Sequence, residues 1–317
     1  MRGFLVAAVA LMAVAAGAQT VRFPDIPADP GPARERALGR IAGGAAIAAV
    51  ISVPGADATG GDLVDPRTLR VTVGGRAADW RLHWRLPSVA LVAVLPPPDS
   101  GSTTETLAIE AILYPSGRRV RGSLEVPPRR THQPAGGPSL LVRDEAGRPL
   151  SGAFVFGQAV EGLLTRTDAS GAAPLEQFRR GQREPHTVWA QSHWAAIGDP
   201  RTSPTMELRR IARADADAAR KAGAVASAPL AAAADAPTVE AAPASRIRIE
   251  VTDARGRLLA PACIEVNERY WLFAPRGFVE DVPAPPGSHI VALAPGFRAG
   301  AAPARGDVVR VTLAPVR

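Results

Sequence analysis

One cysteine, Cys263, is all the chain carries, so no disulfide forms within it and thiolate metal clusters are excluded. Cys263 lies in the alternation Ala262-Cys263-Ile264-Glu265-Val266 and reads as a small buried hydrophobe. A reactive thiol needs a positioned base, and none is indicated. Lysine is equally scarce. Lys221 is the only one, and every other cation behind the formal charge of +7 is arginine. The arginines are scattered, with short pairs only at Arg118-Arg119, Arg129-Arg130, Arg179-Arg180 and Arg209-Arg210. They read as solvated surface rather than a polyanion site, and no nucleic-acid partner is expected. The histidines His83, His132, His186, His193 and His289 form neither H-x-H nor H-E-x-x-H, so no metal and no cofactor are expected. A G-x-S-x-G elbow is missing too, as is any recognisable Ser/His/Asp order. The expectation is a protein that is not an enzyme.

Long apolar runs are confined to the N-terminus. Arg2, the apolar stretch Phe4 to Ala15 and the small-x-small site Ala16-Gly17-Ala18 read as a secretory signal over residues 1–18, with a mature chain from Gln19. The run is shorter than the roughly 20 residues of a spanning helix. The expectation is an exported protein, periplasmic or at the cell surface, with no transmembrane segment in its mature form.

What the chain does have is turn residues, 30 glycines and 31 prolines, between short alternating strands. That balance favours an all-β class. It also has an internal repeat. Asp144-Glu-Ala-Gly147-Arg148-Pro-Leu150-Ser-Gly-Ala153 matches Asp253-Ala-Arg-Gly256-Arg257-Leu-Leu259-Ala-Pro-Ala262, and an apolar strand precedes each. Self-similarity of this kind indicates tandem modules. Three small β-sandwiches in a row are predicted.

The segments follow from composition. Residues 19–42 are a Pro-rich lead that turns mildly helical. Residues 43–128 form the first sandwich, with a turn at Asp65-Pro66, a hairpin at Gly74-Gly75 and a strand at Val89–Leu95 apolar enough for burial on both faces. A Pro/Gly-rich linker leads to the second sandwich, 138–210. Residues 211–244 are Ala- and Pro-rich, with charges at helical spacing over Arg213 to Ala224 but no large apolar stripe, and read as a flexible or partly helical tether in which Asp215 and Asp217 are solvated. Residues 245–317 form the third sandwich.

The second and third modules resemble the carboxypeptidase regulatory-like domain, a transthyretin-like β-sandwich. The resemblance rests on the shared signature, on Thr167-Asp168-Ala-Ser-Gly171 in the second module, and on Pro286-Gly287 through Val291 with Ala294-Pro-Gly296-Phe297 in the third. The third module departs from it, with Ala274-Pro275-Arg276-Gly277 in place of T-D-x-x-G, and the second has His193-Trp194 where the third has Gly296-Phe297. The first module is similar to bacterial immunoglobulin-like domains around Leu69 to Arg76. The resemblance implies non-catalytic accessory units, and nothing in the chain resembles the catalytic domain that such units accompany in zinc carboxypeptidases.

Aromatic side chains make up only 5% of the chain, and they supply the candidate binding residues. On a strand, Trp80, Leu82 and Trp84 share one face, with Arg81 and His83 opposite. That face is either a core stripe or a stacking platform. Trp189 is read as pointing outward, and Tyr270-Trp271 as lying on an exposed loop. Trp194 is read as a core plug. The resulting expectation is a protein that binds or spaces at a bacterial cell envelope, its partner a protein or polysaccharide. The alternative is a glycan-binding accessory module using exposed tryptophans.

Overall fold

Period-2 alternation sets the strands of the first unit, and two glycines set its clearest hairpin. In the computed structural model, residues 21–42, 46–95, 103–128, 139–157, 164–174, 186–190, 192–200, 202–225 and 243–316 are described. The first unit comprises β1 (Val21–Arg22), α1 (Pro32–Ala42), β2 (Ile47–Ser52), β3 (Leu63–Val73), β4 (Arg76–Ala77), β5 (Asp79–Leu86), β6 (Val89–Leu95), β7 (Glu105–Tyr114) and β8 (Arg119–Val126). One sheet runs β1-β2-β6-β5 and the other β4-β3-β7-β8. Ile47, Ala49 and Ile51 of the first meet Leu107, Ile109 and Leu113 of the second in one core. Gly74 and Gly75 both take positive φ, +57° and +76°, as a two-residue turn with matching twist requires. The lead segment is partly integral: Val21 pairs with Ile51, and Ala37 and Ile41 of α1 join the core. The turn expected at Asp65-Pro66 is instead an irregularity within β3, where pairing to β7 jumps between Asp65 and Arg70. Pro66 has no N–H for a ladder, so a bulge accommodates it.

The second and third units repeat one topology. The second has β9 (Ser139–Asp144), β10 (Phe154–Gly157), β11 (Leu164–Arg166), β12 (Ala172–Pro174), β13 (His186–Trp189), β14 (Ala196–Gly198) and β15 (Thr205–Leu208). A helix, α2 (Arg213–Lys221), precedes the third, which has β16 (Ser245–Thr252), β17 (Ala262–Val266), β18 (Tyr270–Ala274), β19 (Phe278–Ala284), β20 (His289–Leu293), β21 (Gly300–Pro303) and β22 (Val308–Thr312). Their sheets are β12-β9-β15 with β11-β10-β13-β14, and β19-β16-β22 with β18-β17-β20-β21. In both, the last strand runs parallel to the first. The chain is all-β in three tandem sandwiches, as its turn-rich composition predicts.

The repeated signature has a physical content. Asp144 Oδ1 accepts the backbone N–H of Ala146 and Arg148, at 3.0 and 2.9 Å, while Oδ2 accepts Arg148 Nε at 2.8 Å. Asp253 does the same with Arg255, Arg257 and Arg257 Nε, at 2.8, 3.0 and 2.8 Å. Gly147 and Gly256 close the two turns at φ +76° and +77°. The T-D-x-x-G turn also survives its loss from the third module's sequence. Gly171 N–H donates to Asp168 O, and Gly277 N–H donates to Ala274 O. A Cβ on either glycine would lie 2.6 or 2.5 Å from a backbone oxygen.

In each module another unit covers part of the second sheet's outer face. Ile264, Tyr270 and Leu272 point into the third module's own core. The opposite face of the same strands, Cys263, Trp271 and Phe273, packs into the core of the first unit. There it closes the open side between β5 and the start of β3, and the Cys263 thiol sits 3.6 Å from Val64 O. In the second module Val155 and Val188 face inward, while Phe154, Phe156 and Trp189 cover Leu95. The apolar run is accordingly buried over most of Ala90–Leu95, while Val89 at its start is exposed.

The tether reading of residues 211–244 does not hold for the described part. Ala216 and Ala219 of α2 are buried in the third module's core. Asp215, expected to be solvated, is fully buried. It pairs with Arg246 at 3.1 Å and accepts the Ala244 N–H at 2.8 Å. Asp217 stays exposed, paired with Arg220. Two alanines three apart suffice because small side chains let the helix lie close to β19. Asp215 in its first turn and Arg220 and Lys221 in its last complement the helix dipole. Beyond the helix, Val225 exchanges two 2.9 Å backbone hydrogen bonds with Trp271, adding a bridge to the free edge of β18.

Candidate functional site

Burial and buried charge coincide at one place, where all three units meet. The β17–β18 turn carries Asn267 and Glu268 at φ +48° and +53°, a region that disfavours side chains larger than Asn. Neighbouring units hold both residues. Asn267 Nδ2 donates to Ala195 O at 3.1 Å. Glu268 Oε2 accepts Arg81 Nη2 of the first unit at 2.6 Å and the Thr187 hydroxyl of the second. Arg81, Glu268 and Thr187 are all buried, so one carboxylate oxygen ties together β5, β13 and the β17–β18 turn.

Around it lie further ionised groups. The Arg81 guanidinium stacks on Phe156, 3.6 Å from the ring centre. Arg85 pairs with Glu265 at 2.8 Å. Arg269 donates Nε–H to His193 O at 3.1 Å and lies over Trp189 at 4.7 Å. Trp271 Nε1 donates to Leu82 O at 3.1 Å. Desolvation dominates the electrostatics. It lowers the Arg81 guanidinium, against the pull of Glu268 and Glu265, and pushes Arg269 down to about 10. The Glu265 carboxyl is raised by burial, with Arg85 and Arg81 opposing. His83 is driven to about 3 by burial, then by Arg85 and Arg81, so it is neutral at pH 7.

The candidate aromatics converge here, but not as exposed platforms. Trp80, Trp84, Trp189, Tyr270 and Trp271 are all buried. Trp80 and Trp84 belong to the first unit's core, with Trp84 and Trp271 ring centres 6.1 Å apart. Trp189 faces Phe154 at 4.3 Å instead of pointing outward. Tyr270 and Trp271 lie on β18, not on an exposed loop. A strand whose two faces serve two cores has no solvent face to offer. Trp194 is a core plug, but it plugs the third module, packing near Tyr270.

Of the remaining candidates, Cys263 is buried and its thiol is raised well above the usual range by desolvation, which suits an inert packing role. His186 begins β13 and His289 begins the equivalent β20. His132, Arg129-Arg130, Arg179-Arg180 and the signal sequence lie outside the described residues. Among the described residues no group of three His, Cys, Asp or Glu side chains is arranged to hold a metal ion. Sequence reasoning missed Arg81 with Glu268, Glu265 and Arg269. Apolar neighbours in Cys263-Ile264-Glu265-Val266 were the available signal that a charge there is buried.

Trp80, Arg81, Trp189, Val225, Glu268 and Arg269 are among the residues lining a cavity of about 20 Å³ at this junction, room for about one water-sized guest. The arrangement can fix three domains relative to one another and hold a small guest. No helix among the described residues is long and apolar enough to cross a membrane. The chain matches no known protein-family model and no curated protein.

Proposed function

We propose that this protein is an exported, non-catalytic binding scaffold of a bacterial cell envelope, in which three β-sandwiches act as one rigid body. The observation that carries the reading is the buried Arg81–Glu268–Thr187 junction. Interfaces between domains of one chain are by default modest and polar, and leave the domains free to move. Here each contact uses aromatic side chains and desolvated charge. Rigid fusion fixes the geometry of exposed edges and loops, which favours binding over simple extension. The secretory-type N-terminus supports export. The likeness of the repeated modules to carboxypeptidase regulatory-like domains supports an accessory role.

The test is expression of the full chain in a Gram-negative host, followed by fractionation, N-terminal sequencing and photo-crosslinking from the exposed positions Leu86, Ile197 and Val308. A mature chain starting at Gln19, outside the cytoplasm and crosslinked to a discrete envelope partner, is expected. A cytoplasmic chain retaining residues 1–18 sinks the export reading. Uniform, partner-free crosslinking from all three positions sinks the binding reading.

A further inference from the structure

One turn occurs twice in this chain, so each copy shows what the other needs for folding alone. The β9–β10 turn of the second module and the β16–β17 turn of the third make the same hydrogen bonds through Asp144 and Asp253. Their other residues differ. Glu145, Ala146 and Pro149 stand where the third module has Ala254, Arg255 and Leu258. In the adjoining turn, Ser170 stands where the third module has Arg276. The fold therefore does not require Arg255, Leu258 or Arg276, and what they supply is surface chemistry.

Charge separates the two ends further. In the second module Asp144, Glu145 and Asp168 accompany Arg143, Arg148 and Arg210, and Arg148 and Arg210 form ion pairs with Asp144 and Glu145. In the third, the Asp253 carboxylate is taken by Arg257 at 2.7 Å. The nearby carboxylates are taken too: Glu250 by Arg248 and Arg310, Glu280 by Arg248, Asp65 by Arg67, and Asp62 by Arg118. Arg255 and Arg276 are exposed and have no ion pair among the described residues. Arg276 lies over Phe278 at 4.8 Å, a contact that occupies none of its donors. Apolar side chains accompany these cations. The two turns touch, since a Cβ on Gly277 would lie 3.3 Å from Leu258 Cβ, and Leu258 is 44% exposed. Tyr114 of the first unit, 37% exposed, packs edge-on against Phe273 of β18, just ahead of the Arg276 turn, with ring centres 5.0 Å apart. A lipid interface suits this combination. It supplies anionic phosphates, takes an apolar tip without a shaped pocket, and seats tyrosine at headgroup depth. We propose that this end of the third module, with Tyr114 beside it, docks onto an anionic phospholipid surface. Arg255 and Arg276 meet headgroup phosphates, and Leu258 enters the acyl boundary. The docking goes beyond the scaffold reading and does not rest on export.

Sedimentation of the chain Gln19–Arg317 with phosphatidylcholine vesicles, with and without phosphatidylglycerol, tests this. Binding to the anionic vesicles alone, weakening as salt rises, is expected. Arg255→Ala with Arg276→Ser installs the residues of the second module's turns, substitutions the same fold already tolerates. Each arginine near an anionic surface is worth about fivefold in affinity, so the double variant is expected to bind about 20–30-fold more weakly. Leu258→Ser, which removes a half-exposed apolar side chain, is expected to lose about fivefold. Equal binding to neutral vesicles, no binding to anionic ones, or an unaffected double variant overturns the proposal. A Leu258→Ser chain that binds as tightly as the parent also overturns it, because the surface then reads charge alone and an acidic protein is its partner.

Discussion

The second and third sandwiches share strand order, a parallel closing strand and a signature turn that agrees hydrogen bond for hydrogen bond, yet they stand differently in the molecule. The third has a core of Ile247, Ile249, Val251, Ile264, Tyr270, Leu272 and Ile290, and sends Cys263, Trp271 and Phe273 into the first unit. Among its described residues the second has a core of Leu140, Val142, Val155, Val188, Met206 and Leu208, and it lends Trp194 to its neighbour's core. Repetition of a fold is therefore not repetition of a role. The third module is the hub, and the second leans on it.

The comparison breaks most sharply at Glu268, through which the third module's β17–β18 turn grips both of its neighbours. Glu268→Ala leaves Arg81 buried without its carboxylate, and losing one partner of a buried pair costs about 3–5 kcal/mol. Urea unfolding should show this loss, with the units separating into more than one transition. A single unchanged transition would remove Glu268 from the hub role. Next comes Trp194→Ala, expected to cost about 3 kcal/mol. Its test is where protection falls in hydrogen exchange. Loss across β16–β19 of the third module places the tryptophan's energy there, and loss confined to β13–β15 does not.

Two smaller experiments sharpen the likeness instead. Gly171→Ala and Gly277→Ala each force a Cβ into a left-handed turn against a backbone oxygen. Each should cost about 1–3 kcal/mol, to a similar extent despite the different surrounding sequence. Unequal denaturation midpoints for the two variants would show the turns are not equivalent. The mildest effect concerns acid. Arg148 and neighbouring N–H groups hold the Asp144 carboxyl below its ordinary value against burial, and the Arg257 backbone and side chain with the Arg255 N–H do so for Asp253. A depressed folded value means stability present above about pH 4, where the unfolded aspartates ionise, and lost as pH falls through the folded values. Asp144→Asn with Asp253→Asn should flatten the fall in Tm below about pH 4, and an unaltered acid limb would count against it.

Much of this was legible in the residues. Positive-φ turns at Gly74-Gly75, Gly147 and Gly256 follow from glycine's lack of a Cβ. Alternation in β2 and β7 follows from burial of one face. The continuous run Val89–Leu95 announced burial on both faces, although not what would cover it. The exposure expected of Trp189, Tyr270 and Trp271 was misread for a related reason. A tryptophan on the outer face of a strand looks the same in sequence whether it awaits a ligand or another domain. Helical charge spacing marked α2 in the sequence, but its docking escaped notice because Ala216 and Ala219 form a stripe too small to register as apolar. The pairing of Arg81 with Glu268 spans 187 positions, and no local pattern links residues so far apart.

The sequence by itself determined what local physics dictates: an all-β chain, a repeated turn built on an aspartate, a glycine and an arginine, and a lone cysteine suited only to packing. Only the tertiary structure decided which outer sheet faces meet, that aromatic residues such as Trp271, Phe273, Phe156 and Trp189 pack between units, and that charge is sealed where they join. Backbone conformation is set by residues a few positions apart. Domain docking depends on the shape and charge of surfaces that exist only once each sandwich has folded.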